Sequence, residues 1–303
     1  MLECCTLGTG GALPLPDRAL ASLYVRTGGR GLLIDCGEGT QVGIRKVGWG
    51  FRHIDGLLLT HFHGDHCGGV PGLLLSMTKA GREEPLHIYG PAGLRRIIDG
   101  LRVIAPALSF PLALHELPQA PTTFSCIGLE ITSFPLRHSL PCLGYRLHLP
   151  RQGAFQPERA RELGIPVALW KELQQGRAVE VPGRTVQSGE VLGPARRGIT
   201  LLYATDTRPV PEIVSYGQGA DMMILEGMYA GEDKRPQALK NRHMLFAEAA
   251  ALAAQAGAKQ LVLTHFSNCI DDPEAALPMA QAVFPMSRCA QDGLCLTLSY
   301  PKD

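Results

Sequence analysis

A layered α/β fold, with helices outside a sheet, is predicted by three features of this chain. Short unbroken apolar runs end abruptly in glycine-rich or polar clusters. Helical segments lie between these runs. Four side chains of metal-ligand type crowd into the six residues after one of them. Of the runs, Cys4–Leu7 leads into Gly8-Thr9-Gly10-Gly11, Gly31–Ile34 into Asp35-Cys36-Gly37-Glu38-Gly39, and Gly56–Leu59 into Thr60-His61. Leu201–Ala204 ends at Thr205-Asp206, Asp221–Leu225 at Glu226, and Gln260–Leu263 at Thr264-His265. Apolar runs of this length suit strands buried on both faces, although periodicity alone leaves buried helix open.

The helical segments are marked by spacing and by proline. Phe246, Ala249, Ala250 and Ala253 recur at i, i+3, i+4 and i+7, and Gly257 follows as a stop. Pro71–Lys79 and Pro91–Val103 each open with proline, which suits the first turn of a helix. Strands alternating with helices imply helices packed outside the sheet. Residues 150–198 differ: they are polar, carry Pro150, Pro157, Pro166 and Pro182, and lack strong strand runs. They hold eight Lys/Arg against five Asp/Glu. The expectation is one domain over residues 1–303 with an arm inserted at about 150–198.

Composition bounds the function. Hydrophobic residues make up 45% of the 303 and charged residues 19%, which suits a globular core and excludes a disordered chain. The formal net charge of +1 gives no global basic field. A polyanionic substrate must then be drawn by a local patch or by metal ions. No apolar run approaches the roughly 20 residues that cross a bilayer. Met1-Leu2-Glu3-Cys4-Cys5 does not read as a signal peptide. The nine cysteines are scattered without a Cys-x-x-Cys pair, so free thiols and a cytoplasmic location are expected.

The main chemical signal is His61-Phe62-His63-Gly64-Asp65-His66. Imidazole nitrogen and carboxylate oxygen are the ligands that zinc and similar ions take. An extended segment sends alternate side chains to one side, so His61 and His63 can converge on one ion. Gly64 lets the chain turn, which brings Asp65 and His66 within reach of a second. Further candidates are His138, Asp206 and His265, at strand ends or in polar turns, where sites collect in α/β sheets. Local sequence leaves each open as a structural residue, and Asp206 could equally cap a helix. His53, His87, His115 and His148 lack ligand-like neighbours and read as surface or core histidines.

The His-x-His-x-Asp-His pattern resembles the signature of the metallo-β-lactamase superfamily. Flanking segments narrow the resemblance. They include Leu7-Gly8-Thr9-Gly10-Gly11, Asp35-Cys36-Gly37-Glu38-Gly39-Thr40-Gln41, Pro71-Gly72-Leu73-Leu74, Gly144-Tyr145-Arg146 and Thr264-His265-Phe266-Ser267. From about residue 2 to residue 268 these are similar to ribonuclease Z, the tRNA 3′-processing endonuclease.

That resemblance implies a metallo-β-lactamase αββα sandwich with an inserted arm, and two divalent metal ions per chain, zinc foremost. It implies His61, His63 and His138 as ligands of the first ion, Asp65, His66 and His265 of the second, and Asp206 as the bridge. Asp65 would also orient or deprotonate the nucleophile, and Glu226 with His243 would handle the leaving-group proton. The implied enzyme is a phosphodiesterase that removes 3′ trailers from precursor tRNA by a metal-activated hydroxide. A homodimer is implied, with the arm of one subunit serving the other. Gly164-Ile165-Pro166-Val167-Ala168-Leu169 lacks the family's Gly-Pro pair, and Gly68 and Met244-Leu245 also depart from its pattern. These departures keep a second reading open: a hydrolase of a small substrate, such as a cyclic nucleotide, lactone or other ester. A third reading, an RNA-binding protein whose arm is the active part, is disfavoured by the complete ligand set.

Overall fold

The computed structural model describes residues 1–301. In chain order the first strands are β1 (Leu2–Gly8), β2 (Ser22–Thr27), β3 (Arg30–Ile34), β4 (Ile54–Leu58), β5 (Leu86–Pro91) and β6 (Leu112–Leu117). Then come β7 (Thr122–Cys126), β8 (Leu129–Leu136), β9 (Cys142–Arg151), β10 (Val179–Val181) and β11 (Arg184–Val186). The last are β12 (Arg196–Ala204), β13 (Met222–Glu226), β14 (Leu261–Thr264), β15 (Ser287–Cys289) and β16 (Leu294–Leu298). They form two seven-stranded sheets, ordered β16-β1-β2-β3-β4-β5-β6 and β15-β14-β13-β12-β9-β8-β7, and one hairpin, β10-β11. Each large sheet has an antiparallel half and a parallel block: β3 to β6 in the first and β12 to β15 in the second.

The apolar runs are buried on both faces, and alternation shows how. Leu33, Leu57 and Leu59 pack with Ile44 of helix α1 (Thr40–Val47). The short helix α2 (Gly64–Cys67) follows the metal-type motif. The same cluster takes in Leu73, Leu74 and Met77 of α3 (Val70–Lys79), and Leu94 and Ile98 of α4 (Leu94–Leu101). Leu32 and Leu58, the alternate neighbours, are equally buried but lie outside that cluster. In the second sheet Leu202, Met223, Leu225, Leu261 and Leu263 pack against a separate helical layer, while Leu201, Met222 and Val262 lie outside it. Those alternate residues fill the space between the sheets, where the Cys4 thiol of β1 lies 3.9 Å from the Met222 sulfur of β13. The order is helix, sheet, sheet, helix: the αββα sandwich.

The chain divides into two compact units. One holds Met1–His148 and Thr200–Ser299. The other holds Leu149–Ile199 with Tyr300 and Pro301. The second unit contains α5 (Pro157–Glu162), α6 (Trp170–Gln174) and the β10-β11 hairpin. It has its own small core of Ala160, Ile165, Leu173, Val179, Val186 and Val191. Pro182-Gly183 closes the hairpin, with Gly183 at φ 86°, the left-handed position a tight turn reserves for glycine.

In the first unit, α7 (Pro211–Gly217), α8 (Arg235–Asn241), α9 (Phe246–Gln255) and α10 (Pro273–Gln281) accompany the second sheet. α9 buries Phe246, Ala249, Ala250 and Ala253, and Gly257 ends the segment at φ 61°. Pro91 does not open a helix. It closes β5, and α4 starts at Leu94 after Gly93, which takes φ 92°. Asp206 is not a helix cap, because the next helix begins at Pro211 with Val210 as its N-cap.

Candidate metal centre

Seven predicted ligand residues meet, four of them just past the ends of strands and the other three at or on the short helix α2. His61 follows β4, His138 follows β8, Asp206 follows β12 and His265 follows β14. Glu226 is the last residue of β13. Carboxyl ends of parallel strands gather in one rim, so residues far apart in sequence become neighbours. Asp206 and His265 hold left-handed backbone, φ 57° and 55°, as does Asp35 at φ 60°. Such non-glycine outliers cost energy and persist only where the surroundings fix them.

The side chains fall into two groups, one on each oxygen of Asp206. His61 Nε2 and His138 Nε2 lie 3.9 and 3.8 Å from Oδ1. His63 Nδ1 stands 2.9 Å from His61 Nε2 and 3.3 Å from His138 Nε2. On the other side, His66 Nε2 and His265 Nε2 lie 3.1 and 3.2 Å from Oδ2 and 3.1 Å from each other. Asp65 Oδ2 is 3.6 Å from both of these nitrogens and accepts from Ala12 N at 2.7 Å. His243 Nδ1 is 2.9 Å from Glu226 Oε2 and 3.9 Å from Asp206 Oδ1.

Two curated relatives match this chain end to end. A ribonuclease Z of Lachnoclostridium phytofermentans is 45% identical over 303 residues, covering 100% of both chains. One of Agathobacter rectalis is 44% identical, again over 100% of both. The chain belongs to the ribonuclease Z family. The crystal structure of human tRNase Z, short form, has a TM-score of 0.70 at 25% identity and covers 99% of this chain and 100% of that one. Residues 163–266 also match the beta-lactamase superfamily domain, and residues 2–100 the anti-Pycsar protein Apyc1 family.

The donor set of this chain fits metal ions. Ligands about 2.0–2.2 Å from a tetrahedral ion stand about 3.3–3.6 Å from one another. The separations given above, 2.9–3.9 Å in the first group and 3.1–3.6 Å in the second, bracket that spacing. Asp206 Oδ2 is buried without a hydrogen-bond partner, although two imidazole nitrogens stand beside it. A buried carboxylate oxygen left unsatisfied by donors is expensive, and a cation satisfies it.

Electrostatics agree. Burial drives His61 well below the usual imidazole range, so it is the neutral species that ligates. Burial raises the Asp65 carboxyl, but the neighbouring His265 ring and the charge of His66 outweigh it, and the group sits below the usual carboxylate range. Burial also opposes charge on His66, yet Asp206 and Asp35 hold its pKa well above the usual value. Asp206 and Asp35 thus favour positive charge here, either a proton on His66 or a cation that displaces that proton and leaves the ring free to ligate.

Several positioning residues escaped the sequence reading. Buried Asp35 accepts from His66 Nδ1 at 2.9 Å and from Thr60 N at 2.8 Å, which aims His66 Nε2 at the cluster. Its signal was present: Asp35 ends an apolar run, as Asp206 does. Arg242 donates to the His138 carbonyl and Arg208 to that of His243. Cys67 is a buried thiol, pushed up to about 11 by burial, that donates to the His63 carbonyl at 3.2 Å. His87 and His115 face each other at 3.1 Å and His148 meets Thr200 at 3.0 Å, none of them in the cluster.

Proposed function

We propose that this chain is a tRNA 3′-processing endonuclease that holds two divalent ions, zinc foremost, and cleaves precursor tRNA to leave a 3′-hydroxyl. The observation that carries the reading is Asp206. Its two oxygens face two separate three-residue groups, His61/His63/His138 and Asp65/His66/His265. Bound ions there supply Lewis acidity and bring the ionisation of water toward neutral pH.

The chain's own residues do the rest. Asp65, steadied by Ala12 N, orients the attacking water and draws its proton. The water oxygen bonds to phosphorus as the P–O3′ bond breaks. His243 gives its proton to O3′. Glu226 holds His243 Nδ1, so the other ring nitrogen is the one that donates. Burial lowers the His243 pKa, but the charge of Glu226, its hydrogen bond and Asp206 raise it to about 9, which keeps the ring protonated.

The working assembly is a homodimer in the cytoplasm. Val42 of α1, Leu75 of α3, and Val103 and Ile104 just after α4 are 42–73% exposed on neighbouring elements, an apolar patch that a second copy would cover. No helix among the described residues is long and apolar enough to cross a membrane. Residues 150–198 serve as the RNA-gripping arm.

The test compares substrates. Purified protein with its metals should cleave a precursor tRNA at the trailer junction far faster than it hydrolyses a lactone or cyclic nucleotide. Preference for the small substrate would overturn the reading.

A further inference from the structure

The metal cluster faces a cavity of about 940 Å³. A second cavity of about 750 Å³ adjoins it, and Ala12, Met228, Asn241 and His243 line both. These four residues, His243 among them, form the wall between the two. Beyond it, Tyr229, Ile270 and Met279 form apolar walls, and Gln237, Asn268 and Ser267 offer amide and hydroxyl groups. Largely apolar walls with a few polar groups are what an unstacked nucleobase takes.

Tyr229 is built to be rigid. Its hydroxyl accepts from Asn241 Nδ2 at 2.8 Å, and its carbonyl accepts from Phe246 N at 3.0 Å. Its ring stands edge-on to His243, with centroids 6.2 Å apart. A fixed aromatic beside the proton donor is a stacking platform, and stacking tolerates any base.

The chemistry decides which base. His243 protonates the leaving oxygen, so the nucleoside that carries this oxygen lies on the His243 side of the phosphate. For a cut that leaves a 3′-hydroxyl, the oxygen is O3′ of the nucleotide on the 5′ side. We propose that the second cavity seats the base of the nucleotide immediately 5′ of the cut, the last nucleotide of the processed tRNA. The trailer base does not enter it. This rests on the endonuclease reading above.

The experiment uses the metal-loaded enzyme and three precursor tRNAs: intact, abasic immediately 5′ of the cut, and abasic immediately 3′ of it. The 5′ abasic substrate should lose roughly 10–100-fold in kcat/KM, the range that lost base–aromatic stacking produces. The 3′ abasic substrate should stay near the intact one. Ile270→Trp, which narrows the cavity, should slow the intact substrate and abolish the 5′ abasic penalty. A second readout needs no turnover. Cys269 is exposed and lines the cavity. Processed tRNA with its last base intact should slow Cys269 alkylation by iodoacetamide, and the same tRNA without that base should not. A larger loss from the 3′ abasic substrate would give the cavity to the trailer and overturn the proposal. Equal rates on all three would also overturn it. No cleavage of intact precursor tRNA is a separate result, which fells the endonuclease reading first and this proposal with it.

Discussion

Glu226 accepts from His243 Nδ1 through Oε2 at 2.9 Å and from Thr207 N through Oε1 at 2.6 Å, one residue beyond Asp206. One fully buried carboxylate therefore ties the proton donor to the chain segment that carries the centre of the metal cluster. His243→Ala should leave metal content unchanged and slow turnover by roughly 10²–10⁴, the usual contribution of general acid–base catalysis. Glu226→Gln keeps a hydrogen-bond acceptor but removes the charge, so its loss should be smaller. Wild-type turnover by His243→Ala on every phosphodiester tried would remove His243 from the mechanism.

The two faces of Asp206 predict the metal count. Elemental analysis of protein purified without chelator should find two ions per chain. His265→Ala should lose one of them, because its nitrogen serves only the Oδ2 side. Asp206→Ala should weaken both. A chain that holds a single ion, with no second taken up on metal addition, contradicts the arrangement.

Gly11 predicts a subtler loss. A Cβ there would stand 2.6–2.8 Å from three atoms of the His265 ring. The ring cannot simply retreat, since Gly11 N donates to Phe266 O at 3.0 Å and Phe266 N to Thr9 O at 2.9 Å. Gly11→Ala should fold, by circular dichroism, yet bind about one ion in place of two. Full loading would mean that the loop yields more easily than these bonds suggest.

What was legible in the sequence follows from how local each feature is. His61 to His66 lie within one turn of chain, so their convergence could be read directly. His138, Asp206 and His265 reach the same rim from three separate strands, and only family resemblance could bring them together. Six strands, β1, β3, β4, β12, β13 and β14, announced themselves as apolar runs, whereas the buried β2, β5 and β9 carry polar residues or glycine and proline that break the run. β7 and β16 did not announce themselves either, because two of the five residues of each are exposed and their burial alternates. The Pro91–Val103 segment misled at its start. Proline suits a first helical turn, but here it ends an extended strand, and the helix waits for the left-handed Gly93. The arm hairpin was invisible because its strands are three residues each.

Glu248 predicts a pH dependence of stability. It accepts from Arg208 and Arg235, each at 2.8 Å, and from Leu245 N at 2.9 Å, where it closes the first turn of α9. Burial raises its pKa, but the Arg208 hydrogen bond, the Leu245 amide and the arginine charges outweigh it, so the folded value is depressed. A depressed carboxyl pKa stabilises above the unfolded value of about 4.3 and loses that contribution as pH falls through the folded value. Glu248→Gln should be less stable than wild type by roughly 1–2 kcal/mol at pH about 7, on the scale of a charged hydrogen bond. Urea midpoints should converge as the pH is lowered below about 4. A gap that stays constant with pH would assign the loss to packing.

The arm gives the last prediction. Its cations are Arg151, Arg159, Arg161, Lys171, Arg177, Arg184, Arg196 and Arg197. Arg161, Arg177 and Arg184 each face a glutamate across an exposed pair. Exposed pairs contribute little, so phosphates can compete for those arginines. If the arm grips RNA, its cations replace counterions condensed on the phosphates, and affinity for precursor tRNA should fall steeply with salt. None of the six buried residues of the arm core belongs to the two large clusters, so the sandwich keeps its cores when residues 150–198 are replaced by a short Gly-Ser linker. A small phosphodiester has no chain to reach the arm. Deletion should therefore cripple precursor tRNA processing and spare hydrolysis of the small substrate. A shortened protein that folds, holds its metals and processes precursor tRNA as well as the intact chain would remove the arm from RNA recognition.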